Sequence, residues 1–148
     1  MNRQEVFETL KVDEGVKYEI YADHLGYHTF GVGHLVTNED PEWGDSFGTV
    51  VSEERVWECF EKDLDTSISE CHALYGEGVF DEFPETVKQV LVNMMFNMGR
   101  PRLSKFKKFN AALLANDWAE AAVEGRDSRW HKQVTNRAER LMVRLESI

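Results

Sequence analysis

The chain has 148 residues, 42% of them hydrophobic, and a formal net charge of −10, which excludes a disordered chain and leaves room for one packed domain or two small lobes sharing a helix. The charge is uneven: 7 basic and 21 acidic side chains precede Pro101, and 10 basic and 6 acidic lie from there to the end. Counterion-driven binding to nucleic acid needs a strongly positive surface, so it is not expected, and no apolar run approaches the ~20 residues of a membrane span.

Residues 3 to 13 read as a helix, with Val6, Phe7 and Leu10 at helical spacing, Asn2 and Glu5 in a capping pattern, and Gly15 as the stop. Glu14 then sits at the helix C-terminus. There the partial negative charge of the last carbonyls and the neighbouring Asp13 favour a protonated carboxyl, as a proton donor needs. Residues 18 to 22 and 27 to 32 are β-branched and aromatic runs joined by Asp23-His24-Leu25-Gly26, and they predict a β-hairpin. Alternation puts Tyr27, Thr29 and Gly31 on one face and His28, Phe30 and Val32 on the other, so Thr29 is expected to point away from the apolar pair. Backbone N–H groups of the turn can stabilise an Asp23 anion. Two carboxyls in unlike environments are a general acid and base signature.

Glu14, an Asp after eight intervening residues, a Thr six positions beyond it, and the following Gly31-Val32-Gly33-His34-Leu35 together resemble the phage lysozymes of the T-even type, a glycoside hydrolase family. The resemblance implies catalysis by Glu14, Asp23 and Thr29, with no metal or cofactor. It implies an α+β lysozyme-like fold: a hairpin lobe over 1–51, a connecting helix over 52–75 and a helical lobe over 76–148, with a cleft between the lobes. The implied substrate and partner is bacterial peptidoglycan, cut at the β-1,4 bond between N-acetylmuramic acid and N-acetylglucosamine, with inversion. Leu35, Phe96 and Asn97 are implied to border the glycan. Asn97 is shorter than the Gln common in the family, and Phe109 and Glu124 also depart from its polar cleft positions.

Residues 38 to 51 hold Pro41, Gly44, Gly48 and four acidic side chains and predict an irregular connection, shorter than in the T-even enzymes. Trp43 and Phe47 within it are expected to cap the lobe's core rather than stack on sugar, because a lone loop aromatic is usually packed. Ser52 opens a helix to about Tyr75 with Val56, Phe60, Leu64 and Ile68 at four-residue spacing. Asp63, at the margin of that stripe, is placed to meet His34. Cys59 and Cys71 would lie roughly 18 Å apart on this helix at ~1.5 Å per residue, too far for a bridge, and no CxxC spacing suggests a metal or redox pair.

Residues 84 to 98 form the most apolar helix, with Pro84 in its first turn and Gly99 as its stop. Arg100 to Lys108 carries five cations and is expected to be a solvated helix face. Short helices are expected at 106 to 115, 117 to 125 and 135 to 146, with Thr135 capping the last. Arg137 matches the family's Arg that reaches the catalytic Glu. The start MNRQEVFETL has no apolar leader, so the expected biology is a monomeric phage endolysin made in the host cytoplasm, released to the cell wall by another protein, without inserting in the membrane. The rival readings are a non-catalytic glycan-binding or virion-structural module on the same fold, and a lytic transglycosylase, which would use the Glu without a water-holding Asp.

Overall fold

The computed structural model describes residues 1–148, which divide into two compact units, Asn2–Asp65 and Thr66–Ile148 together with Met1. The first holds helix α1 (Arg3–Glu14), strands β1 (Lys17–Ala22), β2 (His28–Gly31) and β3 (His34–Leu35), and the first half of α2 (Glu53–Tyr75). The α1 start follows the sequence pattern: the Asn2 side chain accepts the Glu5 N–H at 3.1 Å. Gly15 ends the helix at φ 75°, where an L side chain would be strained. Val6 and Leu10 face the core, and Phe7 meets Trp57 and Phe60 edge-on at 4.7 and 4.9 Å between ring centroids. Ile20, Phe30, Val32, Val56, Phe60 and Leu64 are buried in the same unit, each contributing about 1.5–3 kcal/mol through its removal from water.

The three strands form one antiparallel sheet in the order β1-β2-β3. Tyr21 pairs with Thr29, and Thr29 with Leu35, so these three share one cross-strand row. Thr29 and Phe30 are both buried, and His28 is exposed. The β1-β2 register shifts between Lys17 and Tyr21, and a third strand covers the other edge of β2, so simple alternation does not decide burial. The stretch after β3 is irregular, as expected. Its end runs along β1, with Ile20 N–H donating to Thr49 O at 2.9 Å, Gly48 N–H to Ile20 O at 2.7 Å and Val51 N–H to Tyr18 O at 2.9 Å. Trp43 and Phe47 are not core residues: they are 60% and 51% exposed, because their turns run over the surface of the unit.

Ser52 caps α2 as expected, its hydroxyl accepting the Arg55 N–H at 3.1 Å. The second unit continues with α3 (Glu77–Glu82), α4 (Glu85–Leu103), α5 (Lys107–Leu114), α6 (Trp118–Arg126), α7 (Arg129–Gln133) and α8 (Thr135–Glu146). α4 is broken at Gly99, φ 79° and ψ 164°, so the expected stop is present and Pro101 opens a new turn beyond it. Pro84 is the N-cap rather than part of the helix. Val87, Val90, Leu91, Met94 and Met98 are buried.

Helices α3 and α7 are absent from the sequence expectations; at six and five residues they are too short to show a period. Thr135 is not a cap: Val134 holds that position without a side-chain bond, and the Thr135 hydroxyl donates to Lys132 O. Asp117 and Ser128 cap α6 and α7, accepting from Glu120 and His131. The cations from Arg100 to Lys108 are not one helix face, since they span the α4 break and the turn into α5. Arg100 pairs with Glu70 at 2.6 Å and Arg102 donates to Gln133 at 3.0 Å. α6 packs closely on α8 at Gly125, where an added Cβ would come within 2.3 Å of Met142 Sδ. No helix is long and apolar enough to cross a membrane.

Candidate active site

Three of the catalytic candidates belong to the first unit. Glu14 is the last residue of α1, and its Oε2 would lie 3.1 Å from a Cβ added at Gly33. The carboxyl therefore packs on the backbone of the β2-β3 turn. Gly33 has φ 62°, so its freedom from a side chain serves the turn and the close approach together. Asp23 follows β1 and closes the hairpin on itself. Its Oδ1 accepts the Tyr27 N–H at 2.8 Å and the Leu25 N–H at 2.9 Å, an Asx-type turn. The Tyr27 bond, more than the Leu25 bond and the nearby His24, holds the Asp23 carboxyl below the usual range despite some desolvation, so it is ionised at neutral pH.

Thr29 lies one register step from the turn, buried, with its hydroxyl donating to Tyr27 O at 3.1 Å. Tyr21, its cross-strand partner, was not anticipated as a site residue, yet it feels both carboxylates: burial first, then the negative charges of Glu14 and Asp23, push its phenol above the ordinary value. Both carboxylates thus act on the Tyr21 ring through their charge. A half-exposed Leu35 completes the cross-strand row.

His34 and Asp63 meet as expected, Nδ1 to Oδ2 at 2.7 Å. Sequence reasoning missed the second carboxylate, Asp40, whose Oδ2 lies 2.9 Å from His34 Nε2 and also accepts the Thr37 N–H. Burial disfavours the imidazolium, but hydrogen bonds to Asp63 and Cys59, the Asp63 charge and the Asp40 bond outweigh it and push His34 up to about 11. Asp40 is lowered: burial opposes its charge, and the Thr37 N–H, His34 and Arg55 overcome that. The ligating atoms of His34, Asp40 and Cys59 fall within 4.8 Å of one another, and they are already engaged as hydrogen-bond partners. Cys59 and Cys71 are both buried free thiols.

The remaining candidates belong to the second unit. Asn97 Oδ1 accepts the Trp130 indole N–H at 2.8 Å, and Phe96 precedes it on α4, partly exposed. Arg137 is buried on α8, its Nε donating to Asn93 Oδ1 at 2.9 Å. Phe109, one of the departures from the family's polar positions, is buried, and with Glu124 it borders a cavity of about 280 Å³.

The phage lysozyme family matches residues 11–146 of the chain. The chain belongs to the phage lysozyme family. It is 33% identical over 150 residues to the probable T4-type lysozyme 2 of Dictyostelium discoideum, covering 90% of this chain and 88% of that one. A second protein of that organism, probable T4-type lysozyme 1, is 29% identical, covering 93% and 91%. The pre-baseplate central spike protein of Enterobacteria phage T4 is 31% identical over 90% of this chain, which corresponds to 26% of the spike protein. Family membership makes the chain a peptidoglycan hydrolase with a lysozyme-like α+β fold.

Proposed function

We propose that the chain is a muramidase that cleaves the β-1,4 bond between N-acetylmuramic acid and N-acetylglucosamine, with Glu14 as general acid and Asp23 as the carboxylate that holds the attacking water. The observation that carries this is the pair of unlike acids: Glu14 at a helix end against Gly33, and Asp23 fixed as an anion by two N–H groups. Glu14 would protonate the leaving oxygen as the glycosidic bond opens. The Asp23 anion faces the positive charge that develops on the sugar, and its Oδ2, the oxygen not taken by the turn, accepts the water's proton. The Thr29 hydroxyl, tethered at Tyr27 O, orients that water. Attack from the face opposite the leaving group gives inversion.

The biology this reading supports is a phage endolysin made in the host cytoplasm and acting on the wall after release, as a monomer. The likeness to a central spike protein favours a second reading, in which the same chemistry is carried on a virion. Purified chain added to peptidoglycan from outside tests the activity: release of soluble muropeptides with new reducing ends is expected, and an intact wall would overturn the proposal.

A further inference from the structure

Beyond the Asp23 turn the first unit presents a cavity of about 440 Å³, bordered by Tyr27, His28, Trp43 and Asp45 among others, within the size range of ligand sites. Its aromatic walls are open to solvent rather than spent on the core: Tyr27 is 56% and Trp43 60% exposed. The His28 ring is held in place by Phe47, stacked at 4.0 Å with 15° between planes. Exposed aromatic faces with one carboxylate beside them match the two surfaces of a pyranose, whose C–H face packs on rings while its hydroxyls donate to an acceptor such as Asp45.

Tyr27 joins this cavity to the catalytic turn. Its side chain forms a wall, while its backbone N–H donates to Asp23 Oδ1 and its carbonyl accepts from the Thr29 hydroxyl. The cavity therefore adjoins the turn that carries Asp23. We infer that this cavity is a subsite for an uncharged N-acetylglucosamine ring of the wall glycan, with Trp43 and Tyr27 as stacking surfaces and Asp45 as hydroxyl acceptor. The inference rests on the muramidase reading for its ligand class.

The experiment titrates full-length Glu14→Gln protein, which holds substrate without cutting it, with chito-oligosaccharides of N-acetylglucosamine and with peptide-free glycan strands, by calorimetry. Trp43→Ala in that background should weaken binding at least about tenfold, Asp45→Asn less, and Trp43→Phe should restore most of the affinity because the stack is kept. In the otherwise unaltered enzyme Trp43→Ala should raise KM on cell walls and leave kcat unchanged, the pattern of lost uniform binding. Trp43 is largely exposed, so its truncation is expected to keep the fold, which an unchanged Tm confirms. Equal affinity in the Trp43→Ala and parent proteins would overturn the inference, as would a Trp43 effect seen only with fragments that carry stem peptides. An enzyme inert on walls that still loses oligosaccharide binding with Trp43 would refute the muramidase reading and leave the subsite standing.

Discussion

Replacing Gly33 by Ala separates what the site costs in stability from what it gives in activity. The residue has φ 62°, and the new Cβ would lie 3.1 Å from Glu14 Oε2 and 3.6 Å from its Cδ. The left-handed backbone costs a non-glycine residue about 1–2 kcal/mol. For a chain of this length that lowers Tm by roughly 2–8 °C. The contact with Glu14 relaxes by a shift of a few tenths of an ångström, and the group that shifts is the proposed proton donor. A displacement of 1 Å at a reacting group can cost about 100-fold, so a loss of roughly tenfold in kcat is the expected scale. Gly76→Ala is the control: it has φ 95° and nothing nearer its new Cβ than a Val79 methyl at 3.8 Å, so it should lose stability and keep kcat. Rates are read on purified walls at 25 °C, below both melting points. Equal kcat for the two variants would refute the claim that Gly33 is bare to seat Glu14.

The His34 cluster predicts a pH window for stability. His34 is raised, so its contribution is complete below its unfolded value near 6.5, declines above it and is gone past about 11; Asp40 is lowered, so its contribution is present above its unfolded value near 3.8 and fails as pH falls through the folded one. A double-mutant cycle of His34→Gln and Asp63→Asn should give a coupling of about 0.5–3 kcal/mol at pH 5.5 that shrinks by pH 9; none at either pH contradicts the ion pair. Gly125→Ala meets Met142 Sδ at 2.3 Å and should destabilise by about 1–3 kcal/mol through overpacking, seen as an earlier urea midpoint; a wild-type midpoint would mean that Met142 moves aside freely. Because the chain carries −10 and the wall polymer is anionic, lysis should rise with moderate salt as the Debye length shortens to about 8 Å. A steady fall from the lowest ionic strength would show that the cations around Arg100 to Lys108 govern association.

The parts of the fold that could be read in the sequence are those with a period long enough to count or a cap with defined chemistry. α1, α2 and α4 repeat their apolar residues over three or more turns, and Asn2, Ser52 and Gly99 mark their ends. β3, α3 and α7 have two, six and five residues, and their formation depends on what packs over them. The burial of Thr29 has the same origin, since a two-residue alternation specifies neither the register shift between β1 and β2 nor a third strand. In the candidate site, the placements of Glu14, Asp23 and His34 were visible because they follow from local features: a helix end, a turn, and a facing helix stripe. Asp40 and Tyr21 were not, because each acts through a partner that only the folded chain brings near: His34 for the first, and the two acids for the second. Trp43 failed in the opposite direction. The rule that loop aromatics are packed does not hold where a cavity leaves their faces open.

The most direct test of the central claim is the anomeric form of the first product, recorded by proton NMR on a soluble muropeptide substrate before mutarotation, with Glu14→Gln as the parallel sample. Glu14 as acid and Asp23 as water-holding base predict the α configuration at the new reducing end from the unaltered chain, and almost no product from Glu14→Gln although its melting temperature holds or rises. A β product, an anhydro sugar, or a Glu14→Gln protein that clears walls at the unaltered rate would contradict it.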